Sequence, residues 1–330
     1  MTSSQNPHPA MQAVLEQLAA QRAGLPNRYE LAFAQARYQL LQERRPWLAD
    51  GPPCASTERA VRSGARRFAM RVYQPAHAAA NRMLIYLHGG GWCVGSPATH
   101  DAIVRRLAAA LNCTTWSVDY ALAPEAPYPA GLLDCIAAVE LAAREQPAAR
   151  LIVAGDSAGA NLALDVALRL RDQGRAPIDA LLLFYGVYTD ACTGPSMAAY
   201  GDGRYGLSRR AHERYLDAYA GPRDSAAAAG APAFALHAAT DLRGLPPVWL
   251  TVAELDILRD QSHALAAKLR DAHGRVQLHE IQGVIHGFLA YGRALPQVGE
   301  ALDAAAQWAL ADPQNAPPSG TAHGARSAPR

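Results

Sequence analysis

From residue 83 onward the chain alternates short apolar, β-rich runs with segments of helical periodicity, and this alternation limits its fold more than any other feature. The β-rich runs fall at residues 67–73, 83–87, 114–118, 151–154, 181–185, 248–252 and 276–281; helix-period segments lie at 102–111, 131–144, 158–171 and 261–272. Apolar strands separated by helices belong in a mostly parallel sheet covered by helices on both faces, since parallel neighbours need a long crossover between them. The expected class is therefore α/β. In such sheets reacting groups gather at the carboxyl ends of the strands. With 330 residues, 50% of them hydrophobic, the chain can bury a core of that size.

One strand end carries a sharper signal. The run at 151–154 leads into Gly155-Asp156-Ser157-Ala158-Gly159 and then into a helix-like segment. This reads as a nucleophile elbow, a strained strand-to-helix corner whose flanking positions have no room for side chains, hence Gly155 and Gly159. Taken alone, the same five residues also fit an ordinary turn.

A serine hydroxyl is a poor nucleophile at neutral pH, so a base must take its proton and a third group must hold that base. In a sheet of this kind the chain order is nucleophile, acid, histidine. His286 follows the strand at 276–281, next to Gly287, where the base is expected; the alternative is a loop imidazole bonded to backbone. Asp256 follows the strand at 248–252 and is the expected acid. Glu254 could serve instead, and Asp260 could cap the helix beginning near Gln261. A developing oxyanion needs converging donors, and His88-Gly89-Gly90-Gly91-Trp92 directly follows the strand at 83–87. Gly89 and Gly90 are the expected donors there, joined by the N–H of Ala158. A phosphate cradle is the other use of such a glycine run, but its characteristic spacing and lysine are absent.

Composition narrows the partners. There are 31 basic and 29 acidic residues, a net charge of +2, without a long basic run, so nucleic acid is not an expected partner. No apolar stretch is long enough to span a membrane, and residues 1–10 lack the pattern of a signal peptide, so no integral membrane association and a cytoplasmic location are expected. The 5 cysteines are scattered without a C-x-x-C pair, which suggests neither a disulfide framework nor a metal site. Cys93, beside the glycine run, is expected to be a small buried thiol rather than a reactive one.

Taken together, these residues resemble the bacterial hormone-sensitive-lipase-like esterases of the α/β-hydrolase superfamily. The likeness covers about residues 67–292 and rests on His88-Gly89-Gly90-Gly91-Trp92, on Asp119-Tyr120-Ala121-Leu122-Ala123-Pro124-Glu125 with Pro127 and Pro129, on the elbow with Asn161-Leu162-Ala163, on Asp256 to Asp260, and on His286-Gly287-Phe288. Departures are Ala126, Ala160 and Ile257, where the family often has His, Gly and Pro. The resemblance implies an α/β-hydrolase fold with a mostly parallel central sheet and a helical cap, a triad of Ser157, Asp256 and His286, and an oxyanion hole of Gly89, Gly90 and Ala158. It also implies hydrolysis of short to medium acyl esters without a cofactor. The expected divisions are cap helices at 1–50, a first part of the core at 51–188, a cap insertion at 189–237, the rest of the core at 238–312 and a disordered tail at 313–330. Whether the helical additions form a lid or only pack at the periphery stays open. Trp92, Asp156, Tyr205 and Phe288 are the expected substrate contacts, and bulky side chains among them, with Tyr200, would shorten the acyl site. The partner is then a small-molecule ester, with a homodimer left open. An amidase or formamidase with the same triad, or a small-molecule receptor, are the alternatives; the receptors of this family lack the histidine that is present here.

Overall fold

The computed structural model describes residues 6–49, 51–220 and 240–311. Its strands are β1 (Ala55–Ser63), β2 (Arg66–Gln74), β3 (Arg82–Leu87), β4 (Thr114–Asp119), β5 (Arg150–Asp156), β6 (Ala180–Phe184), β7 (Val248–Leu255) and β8 (Val276–Ile285). They form one 8-stranded sheet in the order β1-β2-β4-β3-β5-β6-β7-β8. β1 and β2 pair antiparallel, as do β2 and β4, and every other pairing is parallel.

The helices are α1 (Pro9–Arg22), α2 (Phe33–Arg44), α3 (Asp101–Leu111), α4 (Ala130–Glu145), α5 (Ala158–Asp172), α6 (Pro195–Tyr200), α7 (Arg209–Ala220), α8 (Arg259–Asp271) and α9 (Pro296–Leu310). The strand order fixes which face each core helix covers. From β3 to β4 the chain steps toward one edge, and from β4 to β5 it steps back past β3 toward the other. Right-handed crossovers then put α3 and α4 on opposite faces. α5 and α8 follow steps in the same direction as α4 and share its face; α9 packs against α3. α3 shows how such a helix forms and stops. Ile103, Val104, Leu107, Ala108 and Leu111 turn one apolar stripe to the sheet, and Asn112 ends the helix in the left-handed conformation, its N–H returned to Ala108 and Ala109.

The reversal of strand order falls between β3 and β5, and both are buried along almost their whole length. A crevice opens outside the carboxyl ends of strands at such a reversal. The glycine run follows β3 and the elbow follows β5, so the two motifs flank that crevice.

Several elements differ from expectation. β1 is an edge strand whose sequence reading gives no apolar alternation, because nearly all its residues are exposed or half-exposed. β7 and β8 run on to Leu255 and Ile285, so that Glu254 and Gly283 are strand residues. α6 and α9 are additional helices. The stretch 1–50, expected to be helical, holds α1 and α2, and α7 lies within 189–237. The later part of the expected insertion, 221–237, and the expected tail at 313–330 lie outside the described residues.

Candidate active site

β5 ends at Asp156 and α5 begins at Ala158, leaving Ser157 alone at the corner with φ 54° and ψ −120°. A left-handed backbone at a residue with a side chain is strained, and the surroundings hold it there. The Ser157 N–H donates to the Phe184 carbonyl of β6 at 2.8 Å. A Cβ on Gly155 would run into the backbone of Gly159, and one on Gly159 into the carbonyl of Leu87 at the end of β3. Both glycines are thus required by backbone crossing backbone.

His286 follows the last residue of β8. Its Nε2 lies 2.9 Å from Ser157 Oγ and its Nδ1 lies 2.7 Å from Asp256 Oδ2. A carboxylate can only accept, so Nδ1 carries the proton and Nε2 is left to accept from the serine hydroxyl. Asp256 is 1% exposed, and its second oxygen accepts the Leu258 N–H at 2.9 Å, which fixes the carboxylate in the turn after β7. Tyr185, at the end of β6, sets its ring edge-on to the imidazole, 5.1 Å between centroids.

Glu254 takes a different task. Its carboxylate accepts the Gly283 N–H at 2.7 Å, at a place where the pairing of β7 with β8 slips between Ala253 and Leu255. Such an irregularity bends a strand and re-aims its end, and this one carries His286 toward Ser157. Asp260 does not cap its own helix: it sits inside the first turn of α8, and its Oδ2 accepts the Ser196 N–H at the start of α6 at 2.6 Å.

The glycine run requires one correction. The Gly89 N–H donates to Asp156 Oδ1 at 2.9 Å, so it is not free to meet an oxyanion. Gly90 and Gly91 have φ of 128° and 58°, conformations that carry the chain around the end of β3. Among the described residues, no acceptor is recorded for the N–H groups of Gly90, Gly91 or Ala158. Gly89, Gly90 and Gly91 all line the cavity with Ser157. The Gly91 N–H, which the sequence reading passed over, is therefore left unpaired among the described residues where that of Gly89 is taken.

Asp156, expected as a substrate contact, is also tied into the glycine run. It lines the cavity, and its buried carboxylate accepts from Gly89 and from the Tyr86 hydroxyl at 2.7 Å and lies 3.4 Å from His100 Nε2. Burial alone would raise this carboxyl; the facing His100, with Tyr86 and Gly89, outweighs burial and holds it well below the usual carboxylate range. His88 beside it is pulled down to about 3 by burial and by the neighbouring His100. It is neutral in ordinary conditions, so its Nδ1–H donates to the Gly89 carbonyl at 2.9 Å. Tyr120 stacks on that imidazole and donates to the His88 carbonyl at 2.6 Å. The cluster clamps the start of the glycine loop to the nucleophile strand.

A cavity of about 640 Å³ opens over Ser157 and His286, walled by α1, α2 and the segment holding α7. Arg214 of α7 ties these additions together by donating to the carbonyls of Tyr29 and Leu31. Tyr205 and Trp92 line the cavity. Trp92 stacks flat on Tyr219, centroids 4.4 Å apart, so it backs the wall. Phe288 is no wall residue: it is wholly buried and packs edge-on against Tyr185 in the core. The Cys93 thiol is buried, as expected, and that burial pushes it up to about 12, away from the thiolate. Among the described residues there is no cluster that could hold a metal ion and no helix long and apolar enough to cross a membrane.

A family model for the alpha/beta hydrolase fold matches residues 84–290. An acetyl esterase from Salmonella schwarzengrund is 34% identical over 284 residues, which is 84% of this chain and 86% of the relative. The chain belongs to the hormone-sensitive-lipase-like family of α/β-hydrolases. Two solved structures are similar to it. An ester-hydrolase from the metagenome of Lake Arreo, in complex with a derivative of bipyridine phosphonate, has a TM-score of 0.82 and 34% identity over 91% of this chain and 97% of its own. A hyperthermophilic esterase from the archaeon Pyrobaculum calidifontis has a TM-score of 0.84 and 29% identity over 93% of this chain and 99% of its own. Against that family pattern, Ile257 in place of proline leaves the turn at Asp256 intact, since the carboxylate still takes the Leu258 N–H.

Proposed function

We propose that this carboxylic ester hydrolase is a serine carboxylesterase that works through an acyl-enzyme on Ser157, with His286 as base and Asp256 as the group that orients it. The carrying observation is the unbroken line from Ser157 Oγ to His286 Nε2 at 2.9 Å and from His286 Nδ1 to Asp256 at 2.7 Å. As Ser157 attacks the ester carbonyl, its proton passes to Nε2 and the carbonyl oxygen becomes an oxyanion. The N–H groups of Gly90, Gly91 and Ala158 receive that charge, each worth a few kcal/mol of barrier in comparable sites. The imidazolium then protonates the departing alkoxide, and Asp256 stabilises it while it is charged. Water enters, His286 takes its proton, and the second tetrahedral intermediate collapses to acid and free Ser157.

Replacing Ser157 by Ala should lower the turnover of p-nitrophenyl butyrate by about 10⁶-fold with an unchanged circular dichroism spectrum. Retained turnover overturns the assignment. Short acyl chains are the favoured substrates in this reading: the aromatic walls at Tyr205 and Tyr215 support it, and so does the likeness to an acetyl esterase. Faster turnover of the laurate than of the butyrate would count against it. A matched anilide hydrolysed as fast as the ester would move the assignment to an amidase. The protein's 5 cysteines are free thiols, which favours a reducing compartment and hence the cytoplasm; cell fractionation tests that.

A further inference from the structure

The wall contributed by α1, α2 and the stretch between them brings arginine into the cavity beside the reacting groups. Arg22, Arg28 and Arg44 all line it. Glu43, behind the wall, accepts from Arg22 at 2.8 Å and lies 3.4 Å from Arg28 Nε. Arg204, on the opposite wall, is paired with Asp202 at 2.7 Å, and Glu16 at the rim bonds to Gln12. Arg44 differs from the others. Its guanidinium lies 5.2 Å from the Tyr291 ring centroid, but its buried Nη1 meets no acceptor among the described residues. It also stands close to the chemistry: a Cβ built on Gly287, next to His286, would lie 3.8 Å from Arg44 Nη2. Arg28 Nε, likewise buried, makes no hydrogen bond among the described residues beyond its ion-pair contact with Glu43, while its Nη2 donates to the Tyr29 hydroxyl at 3.0 Å. Arg28 is near Tyr215, whose ring closes over Gly91 on the oxyanion side.

A buried guanidinium nitrogen without an acceptor is costly, and an anion arriving with the substrate would offset that cost. We infer that the cavity selects esters bearing a carboxylate, such as monoesters of short dicarboxylic acids, with Arg44 as the residue that binds the carboxylate and Arg28 supporting it. One uncompensated cation matches one negative charge. A planar carboxylate fits the guanidinium fork in two parallel bonds, and a doubly charged phosphate would bring a charge that no free cation among the described residues of the cavity answers. This inference deepens the proposed function and rests on it.

The test compares kcat/KM of the full chain for monoethyl succinate, glutarate and adipate with that for ethyl butyrate, followed by proton release. The best hemiester should exceed ethyl butyrate by about tenfold or more. That preference should fall by the same factor in Arg44→Met, chiefly through KM, be partly kept in Arg44→Lys, and shrink with added salt. Ethyl butyrate turned over at least as well as every hemiester overturns the inference while leaving the esterase assignment standing. A preference that survives Arg44→Met overturns the role of Arg44. No turnover of either ester class overturns the assignment beneath both. Should the variants fail to fold, inhibition of wild-type ethyl butyrate hydrolysis decides: glutaramate should compete and glutaramide should not, and equal effects overturn the inference.

Discussion

At the scale of single residues, the division of labour between Glu254 and Asp256 sets how far the histidine depends on each. Asp256 touches the imidazole, whereas Glu254 touches the Gly283 backbone and the Gln282 side chain of the strand that leads to it. Asp256→Asn should therefore lower kcat by about 10⁴-fold, whereas Glu254→Gln should cost about tenfold and be accompanied by a lower melting temperature. Equal losses would mean that the acid has been misassigned. Asp156→Asn should weaken the grip on Gly89 and lower kcat more than it raises KM, because the oxyanion donors act only once the tetrahedral species forms. Kinetics with p-nitrophenyl butyrate would check both. Gly155 and Gly159 are legible from sequence because a corner that crosses itself excludes a Cβ whatever surrounds it. The choice between Gly89 and Gly91 is not legible in that way. It depends on which amide the Asp156 carboxylate takes up, a pairing between residues 67 positions apart. Phe288 misleads for a related reason: adjacency to His286 suggests the pocket, but the chain turns it into the core.

Among the elements, strands and helices with a buried apolar stripe are visible in sequence, and the others are not. β1 packs through little more than Val61, so it carries no alternating signal. α9 buries mainly small residues, among them Ala301, Ala305, Ala306 and Ala309, and packs against α3. The helices that wall the cavity are joined by few but specific bonds. Arg214 holds the stretch between α1 and α2 through two carbonyls, and its guanidinium lies 4.1 Å from the Phe33 ring centroid. Arg214→Ala should destabilise the fold by roughly 1–3 kcal/mol and expose residues 23–32 to limited proteolysis. Unchanged cleavage there would mean that the two helices are held by their apolar contacts alone.

For the whole molecule, one buried acid in α5 links stability to pH. Burial pushes the Asp165 carboxyl up to about 6 against the pull of Arg169. The folded chain then binds this proton up to a higher pH than the unfolded chain. The stability it contributes is full below the ordinary value of 3.8 and is lost as pH rises through about 6. Asp165→Asn should raise the melting temperature at pH 8, by the equivalent of roughly 1–2 kcal/mol, and bring no gain at pH 4; thermal melts at the two pH values, compared with wild type, provide the check. A gain of equal size at both values would rule out this linkage. Another property of the molecule follows from the corner at Ser157, where Gly159 of the elbow lies against the backbone of Leu87 at the root of the glycine loop. The proposed nucleophile and oxyanion donors are cast as one piece, main chain on main chain, with no side chain between them to exchange. A mutational library aimed at new substrates would find that piece barren. Its useful variation lies in α1, α2 and the 201–219 segment, which can drift in sequence while the chemistry beneath them stays the same.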